Sequence, residues 1–384
     1  MKTFSSKYLK YLAKQFPFFA PKIVASCKDW IDEVNRKGDR YRSARASWYE
    51  LIEKNGHQVH PLPQTVQTPQ KQVFDINMSY RTTDSYLFML RNCFLFRHKG
   101  IVLSNYHYCF EEFTHHFNIS SVKKFFGKNP FYTFSNDYKD ISGTGAVLIS
   151  PESHNYYHWL SDVLARIKLY EKVFDQVDHF CVASSVPEKF LEVLPAFGIP
   201  KNKLLLVKDN EKLHFDNLLV ASLPGSEGRA PKWAVDYVRE KLMPKQKSAP
   251  TKKLYLKRGD VSKRRILNES SLIRLLSKQG FEIIEPDKLS ISEQAVIMQD
   301  AKIIISAHGA ALSNLLFASE NCTVIEIFSP DYFRTDCFYT LSGILNLNYW
   351  YIVGTKPPGA EWGDITVPEE VLEQTLNKIS LSVV

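Results

Sequence analysis

The sequence predicts an α/β protein of two Rossmann-like domains facing a central cleft, with an N-terminal helical extension. Three observations carry that expectation. The chain has 384 residues, too many for one ordinary domain and enough for two. Short apolar runs of strand length alternate with segments of helical spacing, and this rhythm occurs twice, which implies parallel sheets covered on both faces. Between the two occurrences lies MPKQKSAPTK, residues 243–252, whose two prolines and three lysines read as an interdomain linker. The expected division is therefore a helical extension over 1–60, an α/β domain over 61–245 and a second Rossmann-like domain over 246–384.

Each element follows from local pattern. Residues 57–72 (HQVHPLPQTVQTPQKQ) are polar and proline-bearing, as in a linker or an extended surface arm. Tyr86 to Phe96 and Gly100 to Leu103 alternate and are rich in aromatic and branched residues, so they predict strands of a small antiparallel unit. From about 146 the rhythm becomes strand–helix–strand. AVLIS (146–150), HFCVAS (179–184), LLLV (204–207) and NLLVAS (217–222) predict strands, and 156–173, 187–197 and 231–242 predict helices. In the second half, KLYLKR (253–258), FEIIE (281–285), KIIIS (302–306), TVIEIF (323–328) and NYWYIV (348–353) predict strands. Helices are expected over 269–279, capped by Asn268 and stopped at Gly280; after a Ser290…Glu293 capping box; briefly after AHGAA; and near 368–380. Ligands of such folds bind beyond the carboxyl ends of the strands, near a topological switch point.

Composition narrows the function classes. The net charge is +8, which favours phosphorylated or otherwise anionic partners. No RNP-type motif, zinc-finger spacing or arginine-crowded helix is present, so nucleic acid is not an expected partner. Aromatic residues make up 13% of the chain, which suits sugar-stacking surfaces and aromatic-rich cores alike. The six cysteines form no CxxC pair and mostly lie in apolar runs, the usage of reduced thiols in a cytosolic protein. No run is long enough to span a bilayer and no signal peptide is visible, so a cytoplasmic location is expected. The first 35 residues interleave Lys2, Lys7, Lys10 and Lys14 with Phe4, Tyr8, Leu12 and Phe16. Such a segment either lies on an anionic membrane surface or packs on the body as an ordinary helix interrupted by Pro17 and Pro21.

Four clusters can carry chemistry. In HNYYHWLSDVLAR (154–166), Asn155, His158 and Asp162 share one helical face directly after a buried strand, and His158 and Asp162 are one turn apart. Asp162, or His158 oriented by it, could act as a general base; the plain structural alternative is an Asn155 cap with a packed histidine. In KRGDVSKRRILNE (257–269), Lys257, Arg258, Lys263, Arg264 and Arg265 follow a strand's carboxyl end, where guanidinium forks match pyrophosphate oxygens; the alternative is a solvated basic loop. In SAHGAALSNLLF (306–317), the small residues Gly309, Ala310 and Ala311 let backbone N–H groups approach an anion at a helix start, with His308 beside it; a tight packing turn would look the same. Glu326 stands inside the apolar strand TVIEIF, either paired with a local arginine or available to ribose hydroxyls, the second being preferred.

No Asp-x-Asp, G-x-S-x-G or HExxH occurs. A departing diphosphate would then be stabilised by basic side chains and a helix N-terminus, with no metal and no other cofactor expected. Two rivals remain on the same architecture. A nucleotide-sugar epimerase or dehydrogenase would need a dinucleotide fingerprint, which is missing. A non-catalytic nucleotide-sugar- or glycan-binding subunit of a polysaccharide assembly complex would bind without turnover.

Taken in order, NYYHWLSDVLAR, RRILNE, FEIIEP, SAHGAALSNLLF and VIEIF resemble glycosyltransferase family 61 over about residues 75–355. The resemblance implies a GT-B-type fold and metal-independent, inverting transfer of a sugar from a nucleotide-sugar donor to a hydroxyl of a glycan or lipid-linked glycan. It matches Asn155, His158 and Asp162 to the acceptor-side motif. Arg258, Arg264 and Arg265 match the basic positions near the diphosphate. His308, Gly309, Ala310 and Asn314 match the HGAxLxN loop, and Glu326 the strand acid. Many members carry Pro-Arg after the first motif; here Ala165-Arg166 stands instead, which is expected to change the helix locally. The resemblance points to a bacterial enzyme of capsule or lipopolysaccharide synthesis working in the cytoplasm at the inner membrane face.

Overall fold

A computed structural model describes residues 22–37, 44, 46–97, 99–105, 108–113, 137–225, 228–245, 250–259 and 263–381. Most of the lysine- and aromatic-bearing start of the chain lies outside these residues, as do 246–249 of the expected linker and 260–262 of the basic loop. The chain divides into two compact units that interleave along the sequence. Unit 1 comprises Met1–Lys54, Asp84–Pro187 and Phe197–Pro224; unit 2 comprises Asn55–Thr83, Glu188–Ala196 and Gly225–Val384.

Unit 1 is built on a mixed sheet. Its strands are β1 (Lys22–Val24) and β2 (Trp48–Glu53), then β5 (Ser85–Phe96), β6 (Ile101–Ser104), β7 (Tyr108–Phe110), β8 (Lys139–Val147), β9 (His179–Ala183), β10 (Leu204–Val207) and β11 (Lys212–Ala221), with β3 (His57–Val59) and β4 (Ser79–Arg81) belonging to unit 2. The order is β1-β7-β6-β5-β11-β8-β9-β10, with β2 also on β5. Strands β11, β8, β9 and β10 run parallel, whereas β5 pairs antiparallel with β11, β6 and β2. The expected antiparallel hairpin of Tyr86 to Leu103 is thus part of this larger sheet. Residues 22–53, expected to be helical, supply two of its strands besides α1 (Cys27–Arg36). Helix α1 is amphipathic: Ser26 accepts from the Asp29 N–H at its start, and Cys27, Trp30, Ile31 and Val34 are buried.

The helical run after β8 has three pitches. A single turn, Tyr156–His158, passes into a π-helical stretch, Trp159–Leu164, and then a 3₁₀ run, Ala165–Gln176. The pitch therefore changes where Ala165 stands. The expected helix over 187–197 is shorter, Glu188–Leu191, followed by a separate turn at Leu194–Phe197 that contains Pro195, a residue that cannot donate to a continuing helix.

Unit 2 contains the all-parallel sheet that the sequence pattern predicts. Its strands are β12 (Lys252–Leu256), β13 (Phe281–Ile284), β14 (Ala301–Ala307), β15 (Thr323–Phe328) and β16 (Asn348–Val353), in the order β13-β12-β14-β15-β16. Counted within the unit this is 2-1-3-4-5, a doubly wound order whose switch point lies between β12 and β14. Successive residues of a strand face opposite sides. On one side Tyr255, Ile305, Ile325, Ile327 and Ile352 pack with Leu272 and Leu276 of a helix over Glu269–Lys278 and with Leu372 and Leu376 of the helix Glu369–Leu381. Fully burying each such aliphatic chain contributes about 1.5–3 kcal/mol.

The other face is covered as well. The 3₁₀ helix Ala310–Phe317 contacts the helices Lys232–Leu242, Ile291–Gln299 and Phe338–Ile344. Ser290 and Glu293 form the expected capping box. Asn268 does not cap by its side chain; it holds Val367 instead, accepting from its N–H and donating to its carbonyl. The stretch 243–252 joins elements of one unit rather than two domains. Helix Lys232–Leu242 belongs to unit 2, where Arg239 donates to the Leu316 and Ala318 carbonyls. Within the polar stretch 57–72, residues 64–67 lie along the outer edge of β16, while His57–Val59 pairs with β4. Gln64 exchanges backbone bonds with Tyr349 and Tyr351, and Gln67 bonds Val353. It is an arm of unit 2, not a link outside it.

The described cysteines are all free, five of them buried. No helix among the described residues is long and apolar enough to cross a membrane.

Candidate functional site

In unit 1, the residues at the carboxyl end of β8 and the helical run after it form one polar cluster. Asn155 caps the run, accepting from the Tyr157 N–H at 2.9 Å. His158 Nδ1 and Asp162 Oδ2 are 2.7 Å apart. Ser150 Oγ donates to the same carboxylate oxygen at 3.3 Å, and Ser161 Oγ lies 2.9 Å from Oδ1. Both Asp162 oxygens are thus engaged, and its side chain is 13% exposed against 22% for His158. With the carboxylate accepting from Nδ1–H, His158 presents Nε2 as its reactive nitrogen. Neither serine was singled out from sequence; Ser150 lies twelve residues before Asp162, outside the helical spacing that flagged the others.

Arg166 sits behind this cluster with no exposure. Its Nη1 donates to the Ile149 carbonyl at 2.9 Å and to that of Val147 at 3.4 Å, while Nε and Nη2 have no hydrogen-bond partner among the described residues. Burial lowers its pKa, and Tyr170 and Asp162 pull it back up. Tyr170 ties the same strand end together, donating to the Val147 carbonyl at 2.7 Å and accepting from the Ala221 N–H at 2.8 Å.

In unit 2, the switch point of the sheet carries the second cluster. Arg258 lies two residues beyond β12, and His308 and Gly309 directly follow β14. Arg258 Nη1 donates to the His308 carbonyl at 3.1 Å and to that of Arg264 at 3.4 Å. No carboxylate hydrogen-bonds it among the described residues. Burial, and then the neighbouring Arg264 charge, lower its pKa to about 10. A Cβ on Gly309 would come within 3.3 Å of the guanidinium carbon, so a side chain there would crowd Arg258. Ala310 and Ala311 open the 3₁₀ helix that follows.

His308 is held on all sides. Its Nδ1 is 2.5 Å from Glu326 Oε1, and its ring stacks on Phe328 and meets Tyr332 and Phe338, with centroids 5.3–5.4 Å away. Glu326 is completely buried, and its other oxygen accepts from the Tyr349 hydroxyl at 2.5 Å. Burial and the Glu326 carboxylate push the Tyr349 pKa well up, which keeps it a donor. Among the described residues both Glu326 oxygens are engaged within the sheet's covered face, by a histidine and a tyrosine and not by an arginine.

Two further residues are engaged in the same way. Arg265 forks onto the buried Asp364 carboxylate, with Nε at 2.9 Å and Nη2 at 2.6 Å from Oδ2, while its own N–H donates to Oδ1 at 2.7 Å. Asn314 is fully buried and donates to Gln294 at 2.6 Å and to the Ala311 carbonyl at 3.0 Å, so it braces the turn from behind. Arg264 stays at the cluster, its guanidinium 4.8 Å above the Tyr332 ring. Tyr332, Tyr349 and Asp364 were not found from sequence, because each lies far along the chain from the residue it serves. No group of three or more His, Cys, Asp or Glu side chains that could hold a metal ion occurs among the described residues.

Unit 2 thus places arginines and a small-residue turn at the switch point of a parallel sheet, where folds of this kind bind ligands, and unit 1 carries a histidine–carboxylate pair of its own. Residues 156–325 match the model of a known family, Glycosyltransferase 61. The match supports a transferase and, within that class, glycosyltransferase family 61. It takes in the His158–Asp162 pair, Arg258 and the 308–311 turn, and stops one residue before Glu326. No curated protein matches the chain.

Proposed function

We propose that the protein is a metal-independent, inverting glycosyltransferase of GT-B type. It moves a hexosyl or pentosyl group from a nucleotide sugar to a hydroxyl of a glycan or lipid-linked glycan. The observation that carries the donor half is Arg258, a largely buried cation whose hydrogen bonds among the described residues go to carbonyls, at the switch point of a 2-1-3-4-5 sheet beside the Gly309–Ala311 turn. A diphosphate would accept from Arg258 and Arg264 and from the turn's N–H groups. His308, its Nδ1 bonded to Glu326, stands beside that turn and shapes the wall of the diphosphate site.

For the acceptor half, His158 Nε2 takes the hydroxyl proton as the oxygen attacks the anomeric carbon. The sugar–oxygen bond to the diphosphate breaks, and Asp162 steadies the imidazolium. Sequence placed Asp162 first as the base; the donors on its Oδ2, from Ser150 and His158, favour His158. The same reading extends to a cytoplasmic enzyme of bacterial capsule or lipopolysaccharide synthesis, in peripheral contact with an anionic inner membrane.

The test is release of nucleoside diphosphate from a panel of UDP-, GDP-, ADP-, CDP- and dTDP-sugars, with and without bacterial lipid-linked glycans. Turnover with one donor, abolished in Arg258→Ala, is expected. Tight donor binding with no release under any condition would instead identify a binding subunit.

A further inference from the structure

Unit 2 carries an aromatic surface that the reading above does not use. Trp362 is 50% exposed, a large apolar side chain left in solvent. Its ring meets Tyr332 edge to face at 5.4 Å, and Tyr332 in turn meets His308 at 5.3 Å. The Arg264 guanidinium lies over the ring of the same tyrosine, 4.8 Å from its centroid. The run from Gly309 and Arg258, through Arg264 and Tyr332, to Trp362 therefore passes from cationic to aromatic.

This surface is built, not incidental. Arg264 has φ 58°, a left-handed conformation that costs a side-chain-bearing residue on the order of 1 kcal/mol and is kept only where the surroundings enforce it. Its stem packs on Gly363, where a Cβ would come within 2.5 Å of Arg264 Cγ, and Gly363 itself has φ 80°. The residue beside Trp362 is thus a glycine on two counts. Asp331 fixes the same loop: it accepts from the Gly363 N–H at 3.0 Å and pairs with Lys356 at 2.6 Å. Arg265 and Asp364 clamp it from the other side. Segments after β12, β15 and β16 converge to present one half-exposed indole against Tyr332, whose ring also carries the Arg264 guanidinium.

We propose that Trp362, backed by Tyr332, is the shelf on which the base of a nucleoside diphosphate stacks, with its diphosphate on Arg258 and the 309–311 turn. The inference deepens the proposed function and rests on its donor half. A π-face beside a dianion site fits a nucleobase, which carries both features in one molecule, better than a neutral sugar, which would leave the arginines unmatched. Stacking tolerates any base, so Trp362 supplies affinity rather than choice among bases.

The experiment compares wild type, Trp362→Ala, Trp362→Phe and Arg258→Ala in calorimetric titrations with UDP, GDP, ADP, CDP and dTDP, the corresponding UDP-sugars, and pyrophosphate as the base-less probe. The expected result is about tenfold or more weaker binding of the preferred nucleoside diphosphate to Trp362→Ala. Pyrophosphate affinity should be unchanged, Trp362→Phe should recover most of the loss, and Arg258→Ala should weaken both probes. Unchanged nucleotide affinity in Trp362→Ala, with the Arg258→Ala loss intact, overturns the shelf and leaves the donor reading standing. Equal loss of nucleotide and pyrophosphate overturns it too, since the indole would then act only through the loop. A loss confined to nucleotide sugars, sparing the diphosphates, assigns the surface to the sugar and also overturns the base. If no nucleoside diphosphate binds the wild-type protein, the donor reading itself falls.

Discussion

Glu326→Gln tests the buried triad on which the donor cluster is built. The native carboxylate accepts twice, from His308 Nδ1 and from the Tyr349 hydroxyl, both at 2.5 Å. A glutamine offers one carbonyl oxygen and one NH₂ in the same space, so with the His308 proton kept on Nδ1 one native donor faces another donor, and only a shift of that proton to Nε2 relieves it. With no solvent access at residue 326, water cannot relieve the mismatch. Losing one hydrogen bond to a charged group and stranding a buried donor costs about 3 kcal/mol together. For a unit of this size that lowers the melting temperature by roughly 6–12 °C. Differential scanning calorimetry reads the shift directly. Adding Tyr349→Phe removes one of the two donors, so the double variant should lose less than the sum of the singles, with an interaction of about 1 kcal/mol or more. A Glu326→Gln protein within about 0.5 kcal/mol of wild type would refute the reasoning, because surface changes alone do no more.

The other expectations are shorter. His158→Ala and Asp162→Asn should each cut turnover by about 10²–10⁴-fold without changing nucleotide affinity; full activity in both would remove the pair from the mechanism. Arg166→Met replaces a buried guanidinium with two unpartnered nitrogens, so stability should change little, while loss of a cation near Asp162 should move the acidic limb of the kcat/KM pH profile upward by up to about one unit; an unmoved profile would show that Arg166 serves only the strand end. His60 is buried with neither ring nitrogen bonded among the described residues, and burial lowers its pKa from 6.5 to about 4. Above pH 6.5 it is neutral folded or unfolded and contributes no pH dependence. Below that the unfolded chain binds the proton first, so stability falls by about 3 kcal/mol by pH 4, and His60→Phe, which keeps the ring contacts to Tyr80 and Tyr339, should flatten that part of the acid unfolding curve. Turnover should persist in EDTA; restoration by added Mn²⁺ or Mg²⁺ after chelation would contradict the metal-independent reading.

The sequence by itself determined the parallel sheet of unit 2, because strands buried on both faces must be apolar throughout, and KLYL, KIIIS and TVIEIF are short runs of that kind between helical segments. It also singled out His158 with Asp162, since one helical turn separates them and a local rule brings them together. The capping box at Ser290 and Glu293 is local in the same sense. What only the tertiary structure decided is everything that depends on partners distant in the chain. Glu326 looked available to a ligand until Tyr349 and His308 were seen to occupy it, and Arg265 until Asp364 did. The 243–252 stretch has a linker's composition, yet the helix before it belongs to the same unit as the sheet after it. Trp362 stood in no motif; its place beside Tyr332 and Arg264 arises because loops after three different strands meet at one end of a parallel sheet. Spacing along the chain fixes which neighbours a helix or strand brings together, whereas a buried charge acquires its partner only when the sheet is assembled.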